Sequence, residues 1–276
     1  GGILSTFWAN WYDMQVKTVQ YGLGTNGPKS DVTGEWVCGS ETLKSETLLE
    51  NRCRFGNEIY AHPLEDDYHR IRSAIWSKIN IPLLTAANWG GQGLHLRGNF
   101  EGFSRAESEQ KWLEVHGLEH WTEFYTDYGV KLQKRFFNHF LKNENNGWEK
   151  QPRVQLQVRR INGFEERHHN SWPIEDTEWT RFYLSSEDSS LSSAPPKHDS
   201  KITFSAMEEG VNFLSPPLES ETEITGPSAV KLFISSSTVD ADLFVVLRIF
   251  SPADEELVFQ GAIDPYTPIG QGWLRA

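Results

Sequence analysis

The sequence has 276 residues, with 26 Lys and Arg against 38 Asp and Glu, and a formal net charge of −12. That balance counts against a nucleic-acid backbone or an anionic membrane surface as partner, and no apolar run approaches the roughly 20 residues that span a bilayer. Aromatic residues make up 13% of the chain, including 11 Trp, enough to fill a core and to exclude wholesale disorder.

The length predicts about two domains. Cys38 and Cys53 are the two cysteines, and such sparse usage reads as free thiols in a reducing compartment, hence a cytoplasmic protein. The sequence opens on Gly1 and stops on the apolar run Gly272-Trp273-Leu274-Arg275-Ala276. It is therefore expected to be part of a longer chain.

Phe7, Trp8, Trp11 and Tyr12 recur at helical spacing, and predict a short amphipathic helix continued by Val16, Val19 and Gln20 as far as Gly22. The plain reading of these aromatics is core packing. Gly22 to Gly39 reads as a loop, followed by a helix through Leu43 and Leu48. Gly22-Leu23-Gly24-Thr25-Asn26-Gly27 matches the dinucleotide fingerprint, whose glycines let a helix N-terminus approach a pyrophosphate. No strand precedes it and Pro28 follows it, so it is read as a loop.

From Asp67 the pattern is α/β. Tyr68, Ile71, Ile75 and Ile79 fall on one helical face, and Ile81 to Ala87 reads as a short strand buried on both sides. It ends in the glycine-rich turn Asn88-Trp89-Gly90-Gly91. A second strand, Trp112 to Val115, leads into His116-Gly117-Leu118-Glu119-His120. The strongest helix follows, with Phe124, Tyr128, Leu132, Phe136 and Phe140 spaced by four and Gly147 closing it. This alternation predicts a parallel sheet whose functional loops leave the strand C-termini.

Past Trp148 the period falls to two. Val154, Leu156 and Val158 alternate with polar residues, as do Thr180, Phe182 and Leu184, and then Val230, Leu232 and Ile234. Leu243 to Leu247 and the turn-rich stretch Ser185 to Pro196 complete an expected antiparallel β-sandwich or jelly roll.

His116-x-x-Glu119-His120 matches an inverted zinc-peptidase motif. That chemistry places both histidines on one helical face and takes a third ligand downstream. Here a strand precedes the motif, Gly117 interrupts it, and the distal sequence is β-patterned. A strand-end loop carrying one catalytic histidine suits the position better. His168 and His169 read as a solvated loop, and His62 and His69 as surface groups. No Gly-x-Ser-x-Gly elbow occurs; Ser228 sits inside the β module and follows His120, against the chain order of α/β-hydrolases. Cys38 and Cys53 have no sheet-to-helix turn around them.

The order of elements, with several motifs, resembles the CocE/NonD family of serine hydrolases, which includes cocaine esterase, α-amino-acid ester hydrolases and X-Pro dipeptidyl-peptidases. The matching stretches are Gly1-Gly2-Ile3-Leu4 with Phe7-Trp8, His62-Pro63-Leu64 with Asp67-Tyr68, Ile79 to Trp89, Leu113 to His120, and Arg135 to Leu141. In the β module they are Phe213 to Leu218, Glu223 to Gly226 and Asp240 to Val245.

The resemblance implies a helical cap over residues 1–66, the second half of an α/β-hydrolase core over 67–148, and an incomplete jelly roll over 149–276. It implies that His120 is the general base, taking the nucleophile's proton and returning it to the leaving group. The serine nucleophile would lie outside this sequence, so the 276 residues alone are expected to be inactive. Where the family has an aspartate after the Ile81–Ala87 strand, this sequence has glycine at Gly91. Glu101 and Glu119 are the candidate substitutes for that acid. Phe7, Trp8, Trp11, Tyr12 and Trp89 are the candidate wall of the acyl pocket.

The expected substrate is a small ester, amide or peptide, cleaved without a cofactor or metal and without nucleic-acid or membrane partners. Two alternatives stand beside it: a non-catalytic jelly-roll binding protein with a degenerate active site, and a zinc peptidase using His116, Glu119 and His120.

Overall fold

The computed structural model of the chain describes residues 2–5, 7–262 and 264–276. These divide into two compact units. One comprises residues 1–74, 234–245 and 272–276, and the other residues 75–233 and 246–271.

The first unit is built from short helices: α1 Phe7–Trp11, α2 Ser45–Glu50, α3 Phe55–Ala61 and α4 Asp67–Arg70. Cys38, Leu48 and Ile59 are buried apolar side chains in it. Gly22, at φ +91°, is held between Cys38 and Leu43 by two backbone hydrogen bonds of 2.8 Å. A Cβ there would lie 2.5 Å from the Leu43 side chain. The fingerprint-like segment is accordingly a loop: Gly24–Asn26 makes one tight turn and Gly27 is extended. Asp66 caps α4 by accepting from the Tyr68 amide at 3.0 Å. That helix stops at Arg70, and Ile71 is 78% exposed. The longer helix expected through Ile71, Ile75 and Ile79 does not form. Pro82 and the exposed isoleucines leave it no apolar face to bury, and Trp76–Lys78 makes a separate tight turn.

The second unit is an α/β layer. β1 Leu83–Asn88 is followed by α5 Leu96–Arg105, β2 Lys111–His116, α6 His120–Tyr125, α7 Asp127–Lys142, β3 Val154–Arg160 and β4 Gly163–His169. The four strands form one sheet in the order β1-β2-β3-β4. β1 runs parallel to β2, with Leu83 opposite Lys111 and Asn88 opposite His116. β2 runs parallel to β3, and β3 antiparallel to β4.

Successive residues of β2 serve opposite faces, as the pleat requires. Leu113 and Val115 pack with Val154, Leu156, Val158 and Phe103. Trp112 packs on the other face with Leu132, Phe136 and Trp148. The Thr126 hydroxyl caps α7 by accepting from the Gly129 amide at 3.0 Å, so Phe124 falls in α6 and is exposed. Asn143, at φ +55°, ends α7 four residues before Gly147, where the stop was expected.

The strand pattern expected to open a β module at residue 149 instead extends this sheet. Val154 and Leu156 are fully buried against β2, because their apolar face completes the core that Leu113 and Val115 begin. Later segments also depart from the alternation. Only Tyr183–Ser185 of the Thr180–Leu184 stretch is strand, pairing with Ser190–Ser192, and residues 193–241 contain no regular strand. Val230, Leu232 and Ile234 are exposed, so a period of two has no buried face there to stabilise a strand. Asp242–Leu247 is a strand that includes the expected Leu243–Leu247 segment. Cys38 is buried and Cys53 exposed, both as free thiols.

Candidate active site

The C-terminal ends of β1 and β2 carry a buried polar cluster. Alternation puts Trp112, Glu114 and His116 on one face of β2, and register adds Asn88 from β1 and Gln155 from β3. Glu114 is 3% exposed, His116 3%, and Asn88 not at all. Glu114 Oε2 and His116 Nδ1 lie 2.8 Å apart. Gln155 Nε2 donates to the Tyr128 hydroxyl at 2.8 Å and to Glu166 Oε2 at 3.0 Å. Burial pushes the Glu114 carboxyl up from its ordinary range, with His116 pulling the other way. Burial, with the Glu114 carboxylate nearby, also pushes the Tyr128 phenol up.

His120 opens α6, three residues beyond the end of β2. Its ring meets His95 edge-on, with centroids 4.7 Å apart, and Trp121 similarly at 4.7 Å. Desolvation depresses its pKa below the ordinary histidine value; His95 and His116 add to this, and Glu119 opposes it. This setting favours the neutral imidazole, the form a general base needs. Among the described residues, the buried atoms His120 Nδ1, His116 Nε2, Asn88 Oδ1 and Glu114 Oε1 have no hydrogen-bond partner.

Neither expected acid reaches His120 as an orienting partner. Glu101 sits on α5, bonded to Arg105 at 3.2 Å and near Arg97; the helical i,i+4 spacing makes these its natural partners. Glu119 accepts from Gln260 Nε2 at 2.7 Å. Gly91 has no room for a side chain, since its Cβ would lie 2.4 Å from Asn88 Oδ1.

Trp89 is a packing residue. It stacks on Phe259, packs at a tilt against Phe100, and its Nε1 donates to the Gln157 carbonyl at 2.7 Å. The aromatics of α1 belong to the other unit. Phe7 stacks on Trp11 at 5.2 Å, Trp8 packs edge-on to Phe55, and the Tyr12 hydroxyl donates to the Cys53 carbonyl.

His116 and His120 do not share a helical face, since His116 ends a strand and its Nδ1 is engaged by Glu114. Among the described residues, no three His, Cys, Asp or Glu side chains gather in a way that could hold a metal ion. A shallow hollow of about 300 Å³ adjoins the loop between β2 and α6, lined by Gly117, Leu118, Arg159, Phe164, Phe259 and Gln260 among others. The Glu114–His116 pair and Asn88 were not singled out from the sequence. The signal available was a carboxylate placed between Leu113 and Val115 in a strand that is otherwise apolar.

His120 thus stands at the start of a helix just beyond the end of a parallel strand, the edge at which α/β sheets carry their functional loops. Two crystal structures of a CocE/NonD family hydrolase from Staphylococcus aureus match the chain at 28% identity. One gives a TM-score of 0.67 over 83% of this chain and 43% of that one. The other gives 0.66 over 81% and 41%. The chain therefore spans less than half the length of these hydrolases. Residues 146–276 match the X-Pro dipeptidyl-peptidase C-terminal non-catalytic domain. No curated protein matches the chain. The chain resembles the CocE/NonD hydrolases, with an X-Pro dipeptidyl-peptidase-like C-terminal domain, as its motifs imply. It combines a hydrolase fold with a C-terminal β domain.

Proposed function

We propose that the chain is part of a serine hydrolase that cleaves an ester, amide or X-Pro peptide bond through an acyl-enzyme. His120 is its general base, and the nucleophilic serine lies outside these 276 residues. In finer detail, residues 67–148 supply the second half of the hydrolase core, and the distal β segments are part of a jelly roll. The observation that carries this reading is His120 itself: a half-buried imidazole at the start of α6, just past the end of β2, its charged form disfavoured by desolvation and by two neighbouring histidines. In the reaction, His120 Nε2 takes the serine hydroxyl proton as the oxygen attacks the carbonyl carbon. It then gives that proton to the leaving group.

A second reading draws on the absence of a carboxylate at Gly91: a non-catalytic protein whose former active site is degenerate. Labelling of the full-length protein with a fluorophosphonate separates the two. The hydrolase reading expects a serine adduct that forms at least about 100-fold more slowly in His120→Ala. A folded wild-type protein that takes no label would overturn it in favour of the second reading.

A further inference from the structure

Glu114 and His116 occupy the interior of the sheet at a point where apolar residues would pack without desolvation cost. They form a buried pair at 2.8 Å on the face of β2 that also carries Trp112, and β2 leads directly into the turn that presents His120. α6, which begins with His120, packs against β1, whose last residue Asn88 lies opposite His116 in the parallel register. Three unpartnered buried atoms, His116 Nε2, His120 Nδ1 and Asn88 Oδ1, thus belong to the adjoining ends of β1, β2 and α6. Buried polar atoms are nearly always satisfied, commonly by an internal water making about three hydrogen bonds.

We propose that the Glu114–His116 pair orients His120, taking the place of the carboxylate that Gly91 does not provide. This rests on the reading of His120 as general base. The donor and acceptor pattern closes with one water. Glu114 accepts from His116 Nδ1–H, His116 Nε2 accepts from the water, and the water also donates to Asn88 Oδ1. The water oxygen accepts from His120 Nδ1–H. That arrangement fixes His120 as the Nδ1–H tautomer and leaves Nε2 free to take the serine proton. As His120 becomes an imidazolium, the Glu114 charge stabilises it through the relay, in a region dry enough for the interaction to matter. Glu114 and His116 are positioning residues: neither touches substrate.

Glu101 is bonded to Arg105 and Glu119 to Gln260, and neither carboxylate bonds His120 Nδ1, which has no partner. The other ionisable group against the His120 ring is His95, which supplies no negative charge.

The test is carried out in the full-length protein with a p-nitrophenyl ester as substrate. Glu114→Gln and, separately, His116→Phe are expected to lower kcat at least about 100-fold while KM stays within about twofold, since only the transition-state charge loses its support. ¹⁵N NMR of the wild-type protein is expected to show His120 as the Nδ1–H tautomer, and to show a shift toward Nε2–H in His116→Phe, which removes the acceptor that the water bonds. If His120→Ala abolishes turnover while both variants keep wild-type kcat, the relay is wrong and the general-base reading survives. If His120→Ala itself leaves turnover unchanged, the general-base reading fails. Should both variants fail to fold, the wild-type tautomer decides alone, and a predominant Nε2–H form overturns the proposal.

Discussion

A Cβ built on Gly91 would lie 2.4 Å from Oδ1 of Asn88. The asparagine amide fills the space into which a side chain at 91 would project. Gly91→Asp is predicted to destabilise the fold by about 1–3 kcal/mol, the usual penalty for forcing atoms into a filled interior. Adding Asn88→Ala should recover most of that loss. Thermal melts of the two variants check this; Gly91→Asp melting with the wild type would show that the space is open.

His120 titrates below the ordinary histidine value of 6.5 because burial disfavours its charged form and two histidines repel it. The unfolded chain therefore binds this proton more readily than the folded one. Stability is full above pH 6.5 and falls as pH drops from there toward the folded-state pKa. NMR titration of the His120 ring protons should give a midpoint below 6.5, and His120→Gln should flatten the stability loss in that window. A midpoint above 6.5 would contradict the desolvated setting.

Glu114 has the opposite sign. Its folded-state pKa is raised by burial, so the contribution of its protonated form is present at low pH and is lost as pH rises through the folded value. Glu114→Gln keeps an acceptor for His116 Nδ1 without a buried charge. It is predicted to melt no lower than the wild type at pH 8, even though its turnover falls. A drop in melting temperature of ten degrees or more at that pH, roughly 3–5 kcal/mol in a domain of this size, would show that the charged Glu114–His116 contact stabilises the sheet.

Leu156 is fully buried between β2 and β4. Leu156→Ala is predicted to cost about 2–5 kcal/mol, the range for buried leucines. Removal of everything after residue 148 would strip β3 from the sheet and leave Leu113 and Val115 uncovered on one side. That truncated chain is expected to be aggregated or molten, as judged by dye binding and loss of near-ultraviolet dichroism.

The parallel pair was legible in the sequence because Ile81–Ala87 and Trp112–Val115 are apolar runs of strand length ending in polar or glycine-rich turns, and no helix period competes with them. α7 was legible from the spacing of Leu132, Phe136 and Phe140. Alternation in Val154, Leu156 and Val158 identified a strand but carried no information about which strand it pairs with, and its parallel pairing with β2 was not legible. Ile71, Ile75 and Ile79 have helical spacing, yet the residues around them bury no common face, and periodicity cannot register that. At the site, the position of His120 could be read from the motif around it. The Glu114–His116 contact depends on alternate residues of one strand sharing a face, and that becomes informative only once the strand is known to be buried on both sides.

The most direct measurement is turnover of a p-nitrophenyl ester by the full-length protein and by its His120→Ala variant, both confirmed folded. With His120 as general base, the wild type turns over and the variant loses about 10³-fold or more in kcat, in line with loss of a triad member. Equal turnover in the two proteins, or none in a folded wild type, would contradict the assignment of His120 and of the hydrolase activity built on it.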